Sequence, residues 1–266
     1  MRALKIYLVA ILFSFSHGFS GDGFISICSF NIAELGGSRP NKNHQAIASM
    51  IQDFDLVVVQ EVQDNGGEAH IAAIVDTLNI TALDSYSYFT IPSAGRGFPG
   101  NEGYAFIYRP PVEIDSRYQE PYGLKSTTVT YGRLPGWAYL RAGEFDFLVV
   151  AVHLHWSDLE TRTTEIVDLL AWLKEVADWS ENAEKDLIIL GDFNRFGDYS
   201  NTKINNRETA FHQLLDDVAL NSKYRLPFCE YLPTMDAKEA PDDFGSTTVS
   251  DNNNMVYDQI AFSAGT

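Results

Sequence analysis

The sequence predicts an α/β protein in which two packed mixed sheets are flanked by helices. Apolar strand patterns alternate with helical patterns early in the chain, whereas strand follows strand in the middle. That mixture fits two packed sheets better than one doubly wound sheet. The 266 residues are 45% hydrophobic and contain no repeat and no linker-like run, so we expect one domain.

Each element is predicted from its local pattern. Strands are expected where apolar and β-branched residues run together or alternate, at residues 24–31, 56–61, 104–109, 112–114, 145–153, 186–192 and 255–262. Helical patterns occupy residues 46–51, 68–78 and 211–220. A further helix is predicted to begin at Ser157, because Glu160 stands three residues later in a capping box.

The first twenty residues have the order of a secretory signal peptide. Arg2 and Lys5 precede an uncharged apolar run over residues 6–15, and small residues follow that run. The run is shorter than the roughly 20 residues of a membrane-spanning helix. We therefore expect residues 1–20 to be a leader, residues 21–266 to be the functional domain, and the protein to be secreted or periplasmic without stable membrane insertion.

The chain is strongly acidic. Its formal net charge of −17 would become −19 with the loss of residues 1–20, which hold Arg2 and Lys5 but no acid. A polyanion would be repelled unless divalent metal and a local basic group offset the charge. The composition therefore argues against a passive nucleic-acid-coating module and allows a metal-using enzyme. Cys28 lies in an apolar strand pattern, where a buried thiol is expected rather than a disulfide with Cys229.

Four polar residues stand at the carboxyl ends of predicted apolar strands: Asn31, Glu61, His153 and Asp192. One such residue means little, because strand ends are where chains meet water. Recurrence on four strands predicts a rigidly supported site at one edge of the sheets. Carboxylate and carboxamide oxygens suit Mg²⁺ or Ca²⁺, and an imidazole supplies a proton donor.

The sharpest local signal is Gly191-Asp192-Phe193-Asn194. The glycine permits a tight backbone turn where the strand ends. Asp192 and Asn194 can then offer a carboxylate and an amide to one pocket. An Asx-turn that ends a strand is the alternative interpretation of this tetrapeptide.

Six motifs in order resemble the endonuclease/exonuclease/phosphatase superfamily, and within it the deoxyribonuclease I-like secreted nucleases. The motifs are Ser29-Phe30-Asn31, Val59-Gln60-Glu61-Val62, Glu102-Gly103-Tyr104, Val152-His153-Leu154, Leu190-Gly191-Asp192-Phe193-Asn194 and Tyr257-Asp258-Gln259-Ile260. The resemblance implies a four-layer α/β/β/α sandwich of two packed mixed sheets. It also implies metal-dependent phosphodiester hydrolysis, with Mg²⁺ as the cofactor (Mn²⁺ or Ca²⁺ as alternatives), DNA as the substrate and a monomeric enzyme.

The same resemblance implies roles for individual residues. Asn31 and Glu61 would bind or position the metal, and Asp192 would bind the metal or orient the attacking water. His153 would be the general acid at the leaving oxygen, and Glu102 would fix its tautomer. Three further residues complete the implied site: Asn194 hydrogen-bonds the phosphoryl oxygens, Asp258 supports a histidine or a metal, and Arg133 contacts the phosphate. In-line attack at phosphorus needs the charge neutralisation and proton donation that this set would supply.

The sequence departs from the family pattern at its end. The superfamily has a later Ser-Asp-His segment whose histidine activates water, and no such segment follows Asp258 before Thr266. We expect the printed sequence to lack a final strand and to have little activity by itself, with a truncated inactive homologue as the alternative. A sphingomyelinase or inositol-phosphate phosphatase of the same fold stays open as an alternative to DNA hydrolysis, because fold alone does not choose a substrate.

Overall fold

A computed structural model gives the fold of the chain. It describes residues 7–14, 24–37, 42–82, 85–92, 102–116, 122–123, 131–155, 161, 164–169, 171–172, 186–195, 224–225 and 256–263. Within this part of the chain, no helix is long and apolar enough to cross a membrane.

The first sheet contains five strands and carries both long helices. The elements are β1 (Tyr7–Ser14), β2 (Phe24–Leu35), α1 (His44–Ile51), β3 (Leu56–Gln63), α2 (Gly67–Thr81), β4 (Ser87–Ile91) and β5 (Glu102–Tyr108). The strands lie in the order β1, β2, β3, β5, β4, with β2 and β3 parallel and the other neighbours antiparallel.

The second sheet contains seven strands. They are β6 (Val112–Ile114), β7 (Tyr122–Gly123), β8 (Gly136–Ala142), β9 (Phe145–His153), β10 (Leu187–Arg195), β11 (Tyr224–Arg225) and β12 (Val256–Ser263). Six of them lie in the order β11, β12, β10, β9, β8, β6, and β7 pairs with β8. The strands β9 and β10 are parallel, and the other neighbours are antiparallel.

Alternation along β3 shows how the layers are built. Leu56 and Val58 face the core between the two sheets, whereas Val57 and Val59 face the core that α1 and α2 cover. Side chains of successive strand residues point to opposite faces, so one continuous apolar run serves both cores. The prediction of two packed mixed sheets with flanking helices is therefore confirmed.

Most predicted elements appear with shifted ends, and five strands were not predicted. The predicted strands at residues 112–114 and 145–153 match β6 and β9 in both bounds, and β2, β3, β5, β10 and β12 overlap their predictions. The longer strands β4 and β8 and the two-residue strands β7 and β11 were not predicted, and β1 lies within the predicted leader. Residues 164–169 are helical, whereas Ser157, Glu160 and the predicted helix at 211–220 lie outside the described residues.

The segment predicted to be a leader contributes a strand in the full chain. Tyr7–Ser14 pairs antiparallel with Phe24–Asn31 along the edge of β2. A form without residues 1–20 would lack this strand, and the leader stays a prediction. Cys28 is buried as expected, and Cys229 lies outside the described residues.

Candidate active site

The predicted strand-end residues converge on one edge of the sandwich. Two parallel strand pairs, β2 with β3 and β9 with β10, bring their carboxyl ends to this edge. His153 and Asp192 are direct register partners in the second sheet. Asn31 of the first sheet donates from Nδ2 to Asp192 Oδ2 at 3.1 Å, so a hydrogen bond joins the two sheets here.

One amide group connects the two buried acids. Asn31 Nδ2 also donates to Glu61 Oε1 at 2.9 Å, while Asn31 Oδ1 accepts the backbone N–H of Ala33 at 3.0 Å. Asn31 and Asp192 are almost fully buried, and Glu61 is half-buried. The carboxylates of Glu61 and Asp192 therefore share a single donor, and Asn31 sets the spacing between them.

The backbone around these acids is strained. Within the described residues, the non-glycine residues with positive φ are Ala33, Glu34, Glu61 and Asn194, with φ from 47° to 62°. Such conformations cost about 1–3 kcal/mol each and persist only where surrounding contacts hold them. All four residues lie beside the site, so the unfavourable backbone conformations are found next to the polar side chains of the site.

Two contacts hold the turn that follows Asn31. The backbone N–H of Glu34 donates to Glu61 Oε2 at 2.8 Å. Lys42 Nζ donates to the carbonyls of Ile32 and Ala33 at 2.9 and 2.7 Å. Lys42 therefore secures the turn that fixes the Glu61 carboxylate. Sequence reasoning missed Lys42 because it acts through backbone carbonyls, which leave no side-chain motif.

His153 lies between three carboxylates. Its Nε2 is 3.7 Å from Asp192 Oδ2 and 4.0 Å from Glu61 Oε1, and its Nδ1 is 3.5 Å from Glu102 Oε2. Burial, and then the positive charge of Arg133, lower the pKa of His153 well below its ordinary value. The imidazole of the free protein is therefore neutral at pH 7.

Arg133 is drawn into the site through Glu102. Arg133 Nε donates to Glu102 Oε2, and both side chains are largely buried. Glu102 is in ion-pair range of His153 Nδ1, but Nδ1 has no hydrogen-bond partner among the described residues. Glu102 and His153 are therefore close to each other, as predicted, but the hydrogen bond that Glu102 accepts comes from Arg133.

The Gly191–Asn194 motif forms a turn and also delivers two polar side chains to the site. Gly191 has φ +134°, and a Cβ at this position would lie 2.1 Å from the carbonyl oxygen of Val152. The Asn194 N–H donates to Asp192 Oδ1 at 2.7 Å, which is the Asx-turn alternative. Asn194 Nδ2 donates to the Leu154 carbonyl at 2.6 Å, so this amide ties β10 to the end of β9.

Asp258 reaches this region through the backbone. It is the register partner of Asp192 in the antiparallel pair of β10 and β12. Its side chain lies outside the described residues, so its predicted role stays a prediction.

The electrostatics of the site favour a bound cation. Burial raises the pKa of Glu61, and the neighbouring charge of Glu102 raises it further. Burial and the charge of Glu61 likewise raise the pKa of Asp192. Two carboxylates that are costly to ionise are the groups that a cation would stabilise most.

The donor set fits a cation that keeps much of its water. Among the described residues, no group of three or more His, Cys, Asp or Glu side chains is arranged as a metal site. Mg²⁺ is commonly held by one or two carboxylates while retaining several water ligands. Glu61 and Asp192 meet that requirement, whereas a thiolate or imidazole cage for zinc is not formed by the described part of the chain.

The two-sheet sandwich carries buried acids, an imidazole and an arginine at one edge, a set of groups suited to phosphoester hydrolysis. The sequence profile of the endonuclease/exonuclease/phosphatase family matches residues 28–257, and the chain belongs to this family. Enzymes of this family generally depend on a divalent metal.

Solved structures share the fold at low sequence identity. A mannosyl-6-phosphatase from Bacteroides thetaiotaomicron aligns over 90% of this chain and 85% of its own, with a TM-score of 0.58 and 17% identity. A family member from Leptotrichia buccalis aligns over 89% of this chain and 87% of its own, with a TM-score of 0.57 and 17% identity. Truncated TDP2 from Caenorhabditis elegans aligns over 90% of this chain and 84% of its own, with a TM-score of 0.53 and 15% identity. No match was found among curated protein sequences.

Proposed function

We propose that this protein is a divalent-metal-dependent phosphodiester hydrolase, with DNA as the substrate to test first. The observation that carries the proposal is the contact in which Asn31 holds Glu61 and Asp192 together, with His153 beside both acids. Buried acids beside an imidazole suit metal-assisted hydrolysis of a phosphate ester better than binding alone.

Each residue of the proposed site has a separate task. Glu61 and Asp192 would hold the cation, which supplies positive charge next to the phosphate oxygens when bound. Asn31 keeps the two carboxylates at a fixed spacing. His153 would donate a proton to the leaving oxygen. Because the imidazole is neutral in the free protein, we expect it to take up that proton when the anionic phosphate arrives, since negative charge favours imidazolium.

Arg133 gives the site a cation for the substrate. Its Nε donates to Glu102, which holds the guanidinium next to this carboxylate, and the fork geometry of arginine suits phosphate oxygens. A local cation of this kind would offset the unfavourable approach of a polyanion to a chain with a net charge of −17. Similarity of Arg133 to a phosphate-contacting residue of the deoxyribonuclease I-like branch supports a nucleic acid over a lipid or an inositol phosphate.

We also propose that the protein is exported, because residues 1–20 have the order of a signal peptide. Expressed with its own leader, the protein should be recovered from the periplasm or medium with an N-terminus near residues 19–22. Recovery in the cytosol with Met1 intact would contradict export.

A substrate panel tests the proposed activity. The product of the complete reading frame should nick supercoiled plasmid DNA and hydrolyse bis(p-nitrophenyl) phosphate in the presence of Mg²⁺ or Mn²⁺, and EDTA should stop both reactions. Parallel samples should contain sphingomyelin, an inositol phosphate, a sugar 6-phosphate and a 2′,3′-cyclic nucleotide. Release of phosphate or phosphocholine from these compounds, with DNA left intact, would replace the nuclease assignment. Hydrolysis that continues in EDTA would contradict the metal dependence.

A further inference from the structure

A buried carboxylate outside the predicted site connects two of its backbone segments. Glu165 lies in the helical stretch 164–169 and is fully buried. Its Oε1 accepts the backbone N–H of Gly132 at 2.8 Å, and its Oε2 accepts the backbone N–H of His155 at 2.7 Å. One side chain thus bridges the two segments that flank the antiparallel pair of β8 and β9.

The bridged segments are the ones that present site groups. Gly132 directly precedes Arg133, whose guanidinium contacts Glu102. His155 follows His153 by two residues on the extension of β9. Between them, the Leu154 N–H donates to the Asp192 carbonyl at 2.9 Å, and the Leu154 carbonyl accepts Asn194. The end of β9 is therefore held by β10 on one side and by Glu165 on the other.

We propose that Glu165 is a positioning residue, which sets the location of Arg133 relative to His153 by holding the peptide groups next to each. The proposal rests on the function proposed above, because that function gives Arg133 and His153 their tasks. A hydrogen bond from a neutral donor to a carboxylate is stronger than a hydrogen bond between two neutral groups. Its strength increases further where water is excluded. Loss of the bridge removes the contact that joins the two segments beyond the paired ends of β8 and β9.

A glutamine cannot replace this carboxylate. Its amide has one acceptor oxygen and one donor nitrogen, whereas Gly132 and His155 both present donors. One buried N–H would face an NH₂ group and would lose its acceptor, which is a costly arrangement. The Glu165→Gln variant therefore keeps the size of the side chain and removes only half of the bridge.

The same helical stretch offers a matched control. Asp168 Oδ2 accepts the Tyr131 hydroxyl at 3.0 Å, and the same hydroxyl is 3.0 Å from the Glu165 carbonyl oxygen. Asp168→Asn alters this polar cluster without removing either of the two loop hydrogen bonds to Glu165. Any effect that comes only from disturbing the cluster or the helix should appear in both variants.

The test compares the full-length wild-type protein with Glu165→Gln and Asp168→Asn. With bis(p-nitrophenyl) phosphate and Mg²⁺, kcat/KM of Glu165→Gln should fall about 10–100-fold, the range typical of residues that orient site groups. Asp168→Asn should stay within about twofold of wild type, as expected where site geometry is unchanged. The Nε–H signal of Arg133 in a ¹H–¹⁵N spectrum should move in Glu165→Gln and stay in place in Asp168→Asn.

The outcomes separate the two proposals. Unchanged kcat/KM and an unmoved Arg133 signal in Glu165→Gln, or equal effects in both variants, would overturn the positioning role. The Arg133 signal is read without substrate, so it decides that role even if wild type hydrolyses nothing, a result that would overturn only the proposed function. If Glu165→Gln does not fold, hydrogen exchange of wild type decides: protection of the Gly132 and His155 amides supports the bridge, and rapid exchange of either one contradicts it.

Discussion

Buried ionisable side chains govern the behaviour of the site at the scale of single residues. Asp192 is 4% exposed, so its negative charge is held in the protein by one side-chain amide and one backbone N–H rather than by water. Burial, and then the charge of Glu61, raise the pKa of Asp192 to about 7. In the absence of a cation, ionisation of this carboxylate therefore lowers the stability of the fold.

The raised pKa predicts the sign of a pH effect on stability. Because the pKa of Asp192 is higher in the folded state than in the unfolded state, its contribution is complete below the unfolded value of about 4 and is lost as the pH rises through about 7. The Tm of the metal-free protein should therefore fall between pH 6 and 8. Asp192→Asn should flatten this fall, and saturating Mg²⁺ should also reduce it in wild type.

His153 affects the pH dependence of stability with the opposite sign and at lower pH. Because burial lowers the pKa of His153 in the folded state, its contribution to folding stability is lost as the pH falls below the ordinary value of 6.5. The interval between pH 7 and 8 is therefore the cleanest for Asp192. Equal slopes of Tm against pH in wild type and Asp192→Asn over that interval would show that Asp192 is not a costly buried charge.

At the scale of elements, the site depends on how closely β9 and β10 approach each other. The carbonyl of Val152 occupies the space that a side chain at Gly191 would need. Gly66, at the start of α2, also has a positive φ, of 88°, but a Cβ there would meet nothing within 4 Å. The two glycines therefore separate the effect of steric contact from the effect of backbone conformation.

Substitution of these glycines tests the close approach. Gly191→Ala should lower Tm by about 4 °C or more, because overpacking commonly costs 1–3 kcal/mol and φ strain adds to it. Gly66→Ala carries the φ strain alone and should lower Tm by clearly less. Thermal unfolding followed by circular dichroism measures both. An equal fall in the two variants would mean that the β9–β10 contact does not require glycine.

Sequence patterns gave the strands of this site but not their cross-connections. The apolar runs that end at Asn31, Glu61, His153 and Asp192 are local signals, and parallel pairing brings their ends to one edge. The Asn31–Asp192 hydrogen bond spans 161 positions, and Glu165 acts on backbone groups, so neither leaves a local pattern. The strand β8 was missed because it begins at Gly136 beside Pro135, residues that usually mark turns.

At the scale of the whole molecule, two sheets share one site. Each sheet contributes one parallel strand pair, and the ends of both pairs meet where Asn31 contacts Asp192. The core between the sheets continues up to this edge, so the polar groups rest on a packed apolar layer. Rigid support of this kind is what a site needs when rate depends on accurate placement of charges.

The acidic surface is the second property of the whole molecule that bears on function. With a net charge of −17, long-range attraction cannot bring a polyanion to the protein. In the proposed function, charge compensation would come from the site itself, through Arg133 and a divalent cation that Glu61 and Asp192 would hold. This division explains why an acidic protein can still be proposed to act on a phosphodiester.

The most direct test of this account is the steady-state rate of phosphodiester hydrolysis in three variants of the full-length protein. His153→Ala and Asp192→Ala should each lower kcat with Mg²⁺ by at least about 100-fold, since proton transfer and charge placement contribute at this scale. Both variants should keep the circular dichroism spectrum of wild type. Arg141→Ala, which removes an exposed ion pair with Glu113, should leave the rate unchanged. Full activity in either His153→Ala or Asp192→Ala would contradict the assignment of the active site.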